Sequence, residues 1–311
     1  MSDIDYYLHI AQIKVQAANA ISGPLSYGFP ALTGFLGAVH ALERKITFPV
    51  NLTFDGVLIA SHECRVRRYR PNAFSDYTFN QSRNPIKKNG TTPAIVEEGK
   101  VDMTISLVIP IRCEDFDDQD WLNDNEQEFC HWINQAMQQQ RMTGGSVFGI
   151  KTVELISAEN LDQLKARLAP AFILMDARQE LIEITEQLQQ QSPDATALDA
   201  LLETAILHHV PEQLPAKDKD KEQPVQWKTT SVKHGRGWLV PIPVGYQSIS
   251  PVYEPASMQH SRAPHYPSQY VETLYSLGRW IFPYSLNSLD NAFWRMNTGE
   301  NGLYLIAQNV D

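Results

Sequence analysis

The sequence predicts an α+β fold whose first half runs β-α-β, a long insertion, then β-α-β. Three observations carry this expectation. Val101, Met103, Ile105, Leu107, Ile109 and Ile111 alternate without a break against Asp102, Thr104 and Ser106, the period of a strand covered on one face. Leu32, Phe35, Leu36, Val39 and Leu42 recur at the spacing of a helix with one buried side. The stretch from Cys64 to Lys88 follows neither period and concentrates positive charge, which marks an insertion between two strands.

The elements follow in order. Leu8 and Ile10, then Ile13 and Val15 after a change of phase, predict a first strand with a bulge. The turn-rich segment 22–30 leads to a helix ending near Lys45, with Pro30 suited to its first turn. Period two returns from Val50 to Val66 and predicts the second strand, with His62 in phase with the inward Leu58 and Ala60. Beyond the insertion and the third strand, Trp121, Phe129, Trp132, Ile133 and Met137 predict one helix from about Asp120 to Arg141. A turn at 142–146 then precedes a strand from Val147 to Ile156. This order is the ferredoxin-like, or RRM-like, arrangement of four antiparallel strands backed by two helices.

The second half is less regular. Helices are expected at 161–168, 181–191 and 196–207, followed by a solvated linker, Lys217 to Glu222, between Pro215 and Pro224. Trp238 to Tyr253 is broken by Pro241, Pro243 and Pro251 and predicts an edge strand or extended crossing segment. A helix from about Ser268 to Trp280 and a strand around Leu303 to Ile306 close the chain. The expected organisation is a core domain over 1–157, with its insertion at about 65–99, and a second part, 158–311, whose helices and terminal segments pack on it.

With 311 residues, 43% of them hydrophobic, the chain is long enough to bury a large core. Its start has no cationic segment followed by an apolar run, and no window reaches the length of a membrane span, so a cytoplasmic protein without membrane partners is expected. Cys64, Cys113 and Cys130 lack the spacing of a disulfide framework or zinc site and read as buried thiols. The chain contains no G-x-x-x-x-G-K-[ST], H-E-x-x-H or G-x-S-x-G, and no metal or organic cofactor is indicated.

The insertion carries the functional signal. Arg65, Arg67, Arg68, Arg70, Arg83, Lys87 and Lys88 face a single acid, Asp76, in a protein of formal net charge -10. Tyr69, Phe74, Tyr77 and Phe79 lie among them. Cations attract phosphates and flat rings stack bases, so the stretch reads as a finger for single-stranded nucleic acid. It reads equally as a basic hairpin that keeps a sheet edge soluble. An acidic pI near 5.4 opposes nucleic-acid binding unless charge is segregated. Segregation is present, because eight carboxylates from Glu114 to Glu128 have no Lys or Arg between them. These could meet a basic protein, or could simply be a solvated loop and helix start. The Gly144-Gly145 turn adds backbone that can approach a phosphate closely.

Several segments together resemble one family. They are Asn19 to Pro30 with Gly34-Phe35 and His40 to Leu42, Phe79-Asn80 with Arg83-Asn-Pro85, and Ala94 to Gly99. Gly144-Gly-Ser146, Gly237 to Pro243, Gly245-Tyr246, Ser250-Pro251, Val271-Glu272 and Gly278 continue the likeness over most of the chain. The pattern is similar to the second Csy protein of type I-F CRISPR surveillance complexes, a repeat-associated (RAMP) protein. That resemblance implies a non-catalytic subunit that binds the 5′ handle of CRISPR RNA and pairs with the large subunit. It also implies a place beside the terminal backbone subunit and near target DNA at the protospacer-adjacent motif, with sequence reading left to base pairing. The inserted finger becomes a thumb folded across the RNA.

By the same resemblance, Phe79, Asn80, Arg83 and Asn84 lie in the thumb motif, with Arg83 on a phosphate and Phe79 stacking a base or packing the thumb root. Thr143, Gly144, Gly145 and Ser146 would offer backbone and hydroxyl donors, and Ser22, Ser26 and Tyr27 would touch handle nucleotides. Lys87 and Lys88 in the finger and Arg141 beside the glycine turn complete the candidate RNA contacts. Arg65, Arg67, Arg68 and Arg70 match no family motif and would add non-specific attraction. The competing reading is a metal-independent RAMP endoribonuclease cutting CRISPR repeat RNA, with His40, His62 or His131 as its acid or base. His208 and His209 would instead cap a helix end.

Overall fold

The structure, a computed structural model, describes residues 4–158, 160–213, 225–289, 291–299 and 302–308. The expected linker 217–222 lies outside them. The chain forms two compact units, one of 1–174, 243–274 and 281–311, the other of 175–242 and 275–280.

The first unit opens with β1 (Tyr6–Asn19), a small hairpin of β2 (Ile21–Gly23) and β3 (Ser26–Tyr27), and α1 (Leu32–Glu43). β4 (Leu52–Phe54) and β5 (Leu58–Val66) follow, then the finger strands β6 (Arg68–Tyr69), β7 (Thr78–Phe79), β8 (Gln81–Arg83) and β9 (Ile95–Glu97). β10 (Lys100–Cys113), α2 (Phe116–Asp124), α3 (Glu126–Gln138), β11 (Arg141–Met142), β12 (Gly145–Gly149), β13 (Thr152–Ser157), α4 (Leu161–Leu168) and β14 (Phe172–Asp176) complete the run.

The antiparallel sheet has the order β11-β12-β1-β10-β5-β14, with β13 also on β1 and β4 on β10. Its spine is the long β1–β10 ladder, from Tyr6 opposite Ile111 to Asn19 opposite Lys100. Two bulges interrupt it, where Gln12 and Ala17 take positive φ (48° and 55°). A bulge leaves a backbone N–H without its ladder partner. Here β10 side chains take both: the Gln12 amide donates to Ser106 Oγ and the Ala17 amide to Asp102 Oδ1, each at 3.0 Å. Between Ile105 and Ile111 both faces of β10 are buried, and α1 and α3 contribute Phe35, Leu36, Val39, Phe129, Ile133 and Met137 to the core. Each such side chain contributes about 1.5–3 kcal/mol by leaving water.

Several expectations need correction here. The second strand is broken at 55–57, where Gly56 takes a φ of 89° and Val57 instead bridges Trp294. The single helix expected from Asp120 to Arg141 is two helices. Asp115 caps α2, accepting from the Asp118 amide, so α2 starts earlier, and the Asn125 side chain donates to the Trp121 carbonyl and ends it. Cys64 is exposed and Cys113 and Cys130 are half-buried, because the faces of the elements carrying them are only partly covered.

The second unit contains α5 (Arg178–Gln189), α6 (Ala197–Ala205) and the ribbon β15 (His208–Gln213) with β16 (Val225–Thr230). Leu181, Ile184, Ala200, Leu201, Leu239 and Leu277 form its core. Thr196 and Asp199 make a reciprocal capping box on α6. Arg236 binds Glu183 at 2.7 Å and also Glu180, which Arg279 reaches at 3.1 Å.

β17 (Trp238–Ser248) and β18 (Val271–Ile281) come next, and β19 (Arg295–Thr298) and β20 (Leu303–Ala307) end the first unit. β17 has neighbours on both sides and is no edge strand. Pro241 and Pro243 are two residues apart, so their missing donors fall on one side of it and the other side keeps its full set. β18 replaces the helix expected from Ser268 to Trp280. Val271, Thr273, Tyr275 and Trp280 favour extended backbone, and Gly278 weakens a helix interior.

Candidate nucleic-acid interface

The finger is the connection between β5 and β10. Arg68 pairs with Phe79 and Tyr69 with Thr78 in β6–β7, and Gln81 to Arg83 pair with Glu97 to Ile95 in β8–β9. No residue from Arg67 to Glu98 is buried, and Phe74 is 100% exposed. The finger thus projects into solvent with its shape set by local bonds. Arg70 donates to the Ser75 carbonyl at 2.8 Å and to that of Ala73, while Arg68 and Arg70 lie 4.2 and 5.0 Å from the centre of the Tyr77 ring. Asn72 accepts from the Phe74 amide, and Lys87 and Thr91 close the turn around Gly90.

Apart from Arg70, which the finger's own carbonyls hold, the finger cations divide into two groups. Arg67 makes a bidentate pair with Asp102 at 2.7 and 2.8 Å. This pair holds the Asp102 carboxyl below its ordinary range, helped by the Ala17 amide, which donates to the same group. Arg67 therefore fixes the finger root to the bulge of β1. Arg65, Arg68, Arg83, Lys87 and Lys88 are exposed and make no ion pair with any described carboxylate; Arg68 lies over the Tyr77 ring, and the other four turn their charge to water.

Three connections meet where β1 ends. The Asn19 amide donates to the Thr143 carbonyl, the Ala20 amide to that of Gly99, and the Gly28 amide to that of Ala20, at 2.8–2.9 Å. The hairpin of Ser22, Ser26 and Tyr27, the finger root and the glycine turn are thereby held side by side. Ser22 Oγ and Ser26 Oγ lie 2.9 Å apart. Tyr27, 60% exposed, meets the half-buried Phe79 edge-on at 5.3 Å, and a Cβ on Gly99 would stand 2.6 Å from the Ile21 side chain, which would have to move to admit it. Asn80 and Asn84 are exposed along the finger.

In the glycine turn Thr143 and Gly144 both take positive φ, 49° and 81°, between Met142 and Gly145, the pattern of a two-residue I′ hairpin. Arg141 donates to the Gly144 carbonyl at 3.0 Å, and the Thr143 hydroxyl donates to the carbonyl of Met142. Gly145 is required by the fold itself, since a Cβ there would sit 2.7 Å from the Gln16 carbonyl oxygen. Ser146 is exposed on β12.

Two of the three candidate histidines, His62 and His131, have side-chain partners within the protein. His62 is half-buried and bonds Ser106 Oγ at 2.7 Å, burial pushing its pKa down. His40 is half-buried on α1, and His131 is exposed beside Gln135. His208 meets Glu203 near the end of α6, while His209 bonds Thr229 across the ribbon. Sequence reasoning missed Asp102, whose place in a clean alternation gave no hint of its two partners, and Asn19, whose role depends on three distant segments. Among the described residues no group of three His, Cys, Asp or Glu could hold a metal ion, and no helix is long and apolar enough to cross a membrane.

The comparisons agree over nearly the whole chain. The family described as CRISPR-associated protein (Cas_Csy2) matches residues 8–306. The CRISPR-associated protein Csy2 of Pseudomonas aeruginosa (strain UCBPP-PA14) is 31% identical over 320 residues, covering 98% of this chain and 95% of that protein. A full-length match of this kind shows the family, and the chain belongs to the Csy2 proteins of type I-F CRISPR systems.

Proposed function

We propose that this chain is the subunit of a type I-F Csy complex that holds the 5′ handle of the CRISPR RNA and pairs with the large subunit, without breaking any bond. The observation that carries the reading is the projecting finger, with Arg83, Lys87 and Lys88 facing water above a root built from Phe79, Tyr27 and the glycine turn. Charge supplies affinity for the phosphates and the exposed rings supply stacking. Arg65 and Arg68 add general attraction, and Arg67 acts in the protein, as the clamp on Asp102. The strand order β12-β1-β10-β5 supports a ferredoxin-like RAMP core carrying the finger between its second and third strands. The exposed carboxylates of 114–128 leave that part of the surface to proteins rather than RNA.

The test is guide-RNA retention in the co-expressed complex as a function of salt. Replacing Arg83, Lys87 and Lys88 by Ala should weaken retention and reduce the slope of log affinity on log salt by about 2, since single strands give roughly 0.7 per phosphate contact. Unchanged retention and slope would leave the finger without a role in RNA binding.

A further inference from the structure

Between α1 and the β11–β12 turn lies a cavity of about 470 Å³, within the ~300–1,000 Å³ usual for bound small molecules. Asn19, Thr143 and Gly144 line it, so it opens beside the point where the finger root, the hairpin and the glycine turn meet. Lys45 and Arg141 are its charged residues, and no described carboxylate lines it. Their hydrogen bonds go to neutral oxygens, Lys45 Nζ to Gln140 Oε1 at 3.0 Å and Arg141 to the Gly144 carbonyl. Two positive charges without counter-ions beside a hollow of this size favour an anion.

One wall is the face of α1 that carries Gly34, Gly37 and Ala41, and the two glycines have different reasons to be there. A Cβ on Gly34 would stand 2.8 Å from the Thr143 methyl, so packing requires glycine. A Cβ on Gly37 would meet nothing within 4 Å, and Gly37 has ordinary helical backbone in the middle of a twelve-residue helix. Alanine would stabilise such a position by roughly 0.5–1 kcal/mol. The fold therefore gains nothing from the missing Cβ. What gains is a ligand that comes close to the helix backbone inside the cavity.

We infer that this cavity receives one nucleotide of the guide strand, its sugar-phosphate passing over Gly37 and its phosphate charge meeting Lys45 and Arg141. The inference rests on reading the neighbouring surface as the guide-RNA interface. It adds a place where the strand leaves the finger and lies against the protein body.

Gly37→Leu fills the cavity and Lys45→Ala removes an exposed charge, each tested in the reconstituted complex with guide RNA. Gly37→Leu should lower guide affinity at least tenfold while the free chain unfolds at or above the wild-type temperature. Lys45→Ala should reduce the salt slope by about 0.7, the value for one contact. If Gly37→Leu lowers the unfolding temperature, the Lys45→Ala slope alone decides. Unchanged affinity in the first variant with an unchanged slope in the second would overturn the inference. The finger variant Arg83→Ala, Lys87→Ala, Lys88→Ala separates the two claims. If it loses RNA while the cavity variants do not, only the cavity proposal fails, and if it too keeps its RNA the wider reading fails.

Discussion

At the scale of single residues, one polar group in the sheet holds the site in place and another ties stability to pH. Asp102 binds the Ala17 amide and Arg67 together, so the bulge at the end of β1 and the root of the finger share one carboxylate. The sequence could not show this, because the pairing depends on bulges that shift β1 against β10. His9 is the other group. It is 1% exposed, bonds Glu154 at 2.9 Å through Nδ1, and leaves Nε2 with no partner. Burial pushes its pKa down, which outweighs the nearby Glu154, and Arg167 pushes the same way. His62, whose pKa is also lowered, feels His9 and Lys151. A histidine with a depressed folded pKa binds fewer protons when folded, so its neutral form supports full stability above the unfolded value of about 6.5. That stability is lost as pH falls below 6.5 toward the folded value. The urea midpoint of the wild type should therefore drop between pH 7.5 and 5.5, and His9→Gln should flatten the drop. Equal slopes for both proteins would show that His9 takes up its proton alike in the folded and unfolded chain, and would contradict a depressed folded pKa.

At the scale of elements, the finger is separable from the body that carries it. Its strands pair only with one another, and none of its residues from Arg68 to Glu97 is buried. Replacing 68–97 by a short Gly-Ser turn should leave the circular dichroism of the sheet intact and the thermal midpoint within a few degrees, since little apolar area is lost. A loss of cooperative unfolding would mean that the finger is part of the core. The elements also show what was readable beforehand. α4 matches its expected bounds, and β10 extends only slightly past its clear alternation. The misreadings have local causes: Asn125 stops a helix by bonding the Trp121 carbonyl, and β18 hid its strand because Leu274 and Leu277 also fit helical spacing. The finger was legible from composition alone. The meeting of three loops on Asn19 and Ala20 was not, because long-range hydrogen bonds create it.

At the scale of the whole molecule, an acidic protein can hold a polyanion only if its charges are kept apart. Lone cations project on the finger, while Glu114, Asp115, Asp117, Asp120, Asp124, Glu126 and Glu128 stay exposed without an ion pair to any described cation. Separation of this kind confines RNA to one part of the surface and leaves another for protein. Under the proposed function, this arrangement grips one end of a guide transcript and leaves it whole. The decisive experiment is to purify the chain with its complex from cells that transcribe a CRISPR array and to sequence the bound RNA. Short RNAs sharing a single repeat-derived 5′ end are expected. Bound RNAs with no common end, or a repeat transcript cut by the purified chain, would contradict that function.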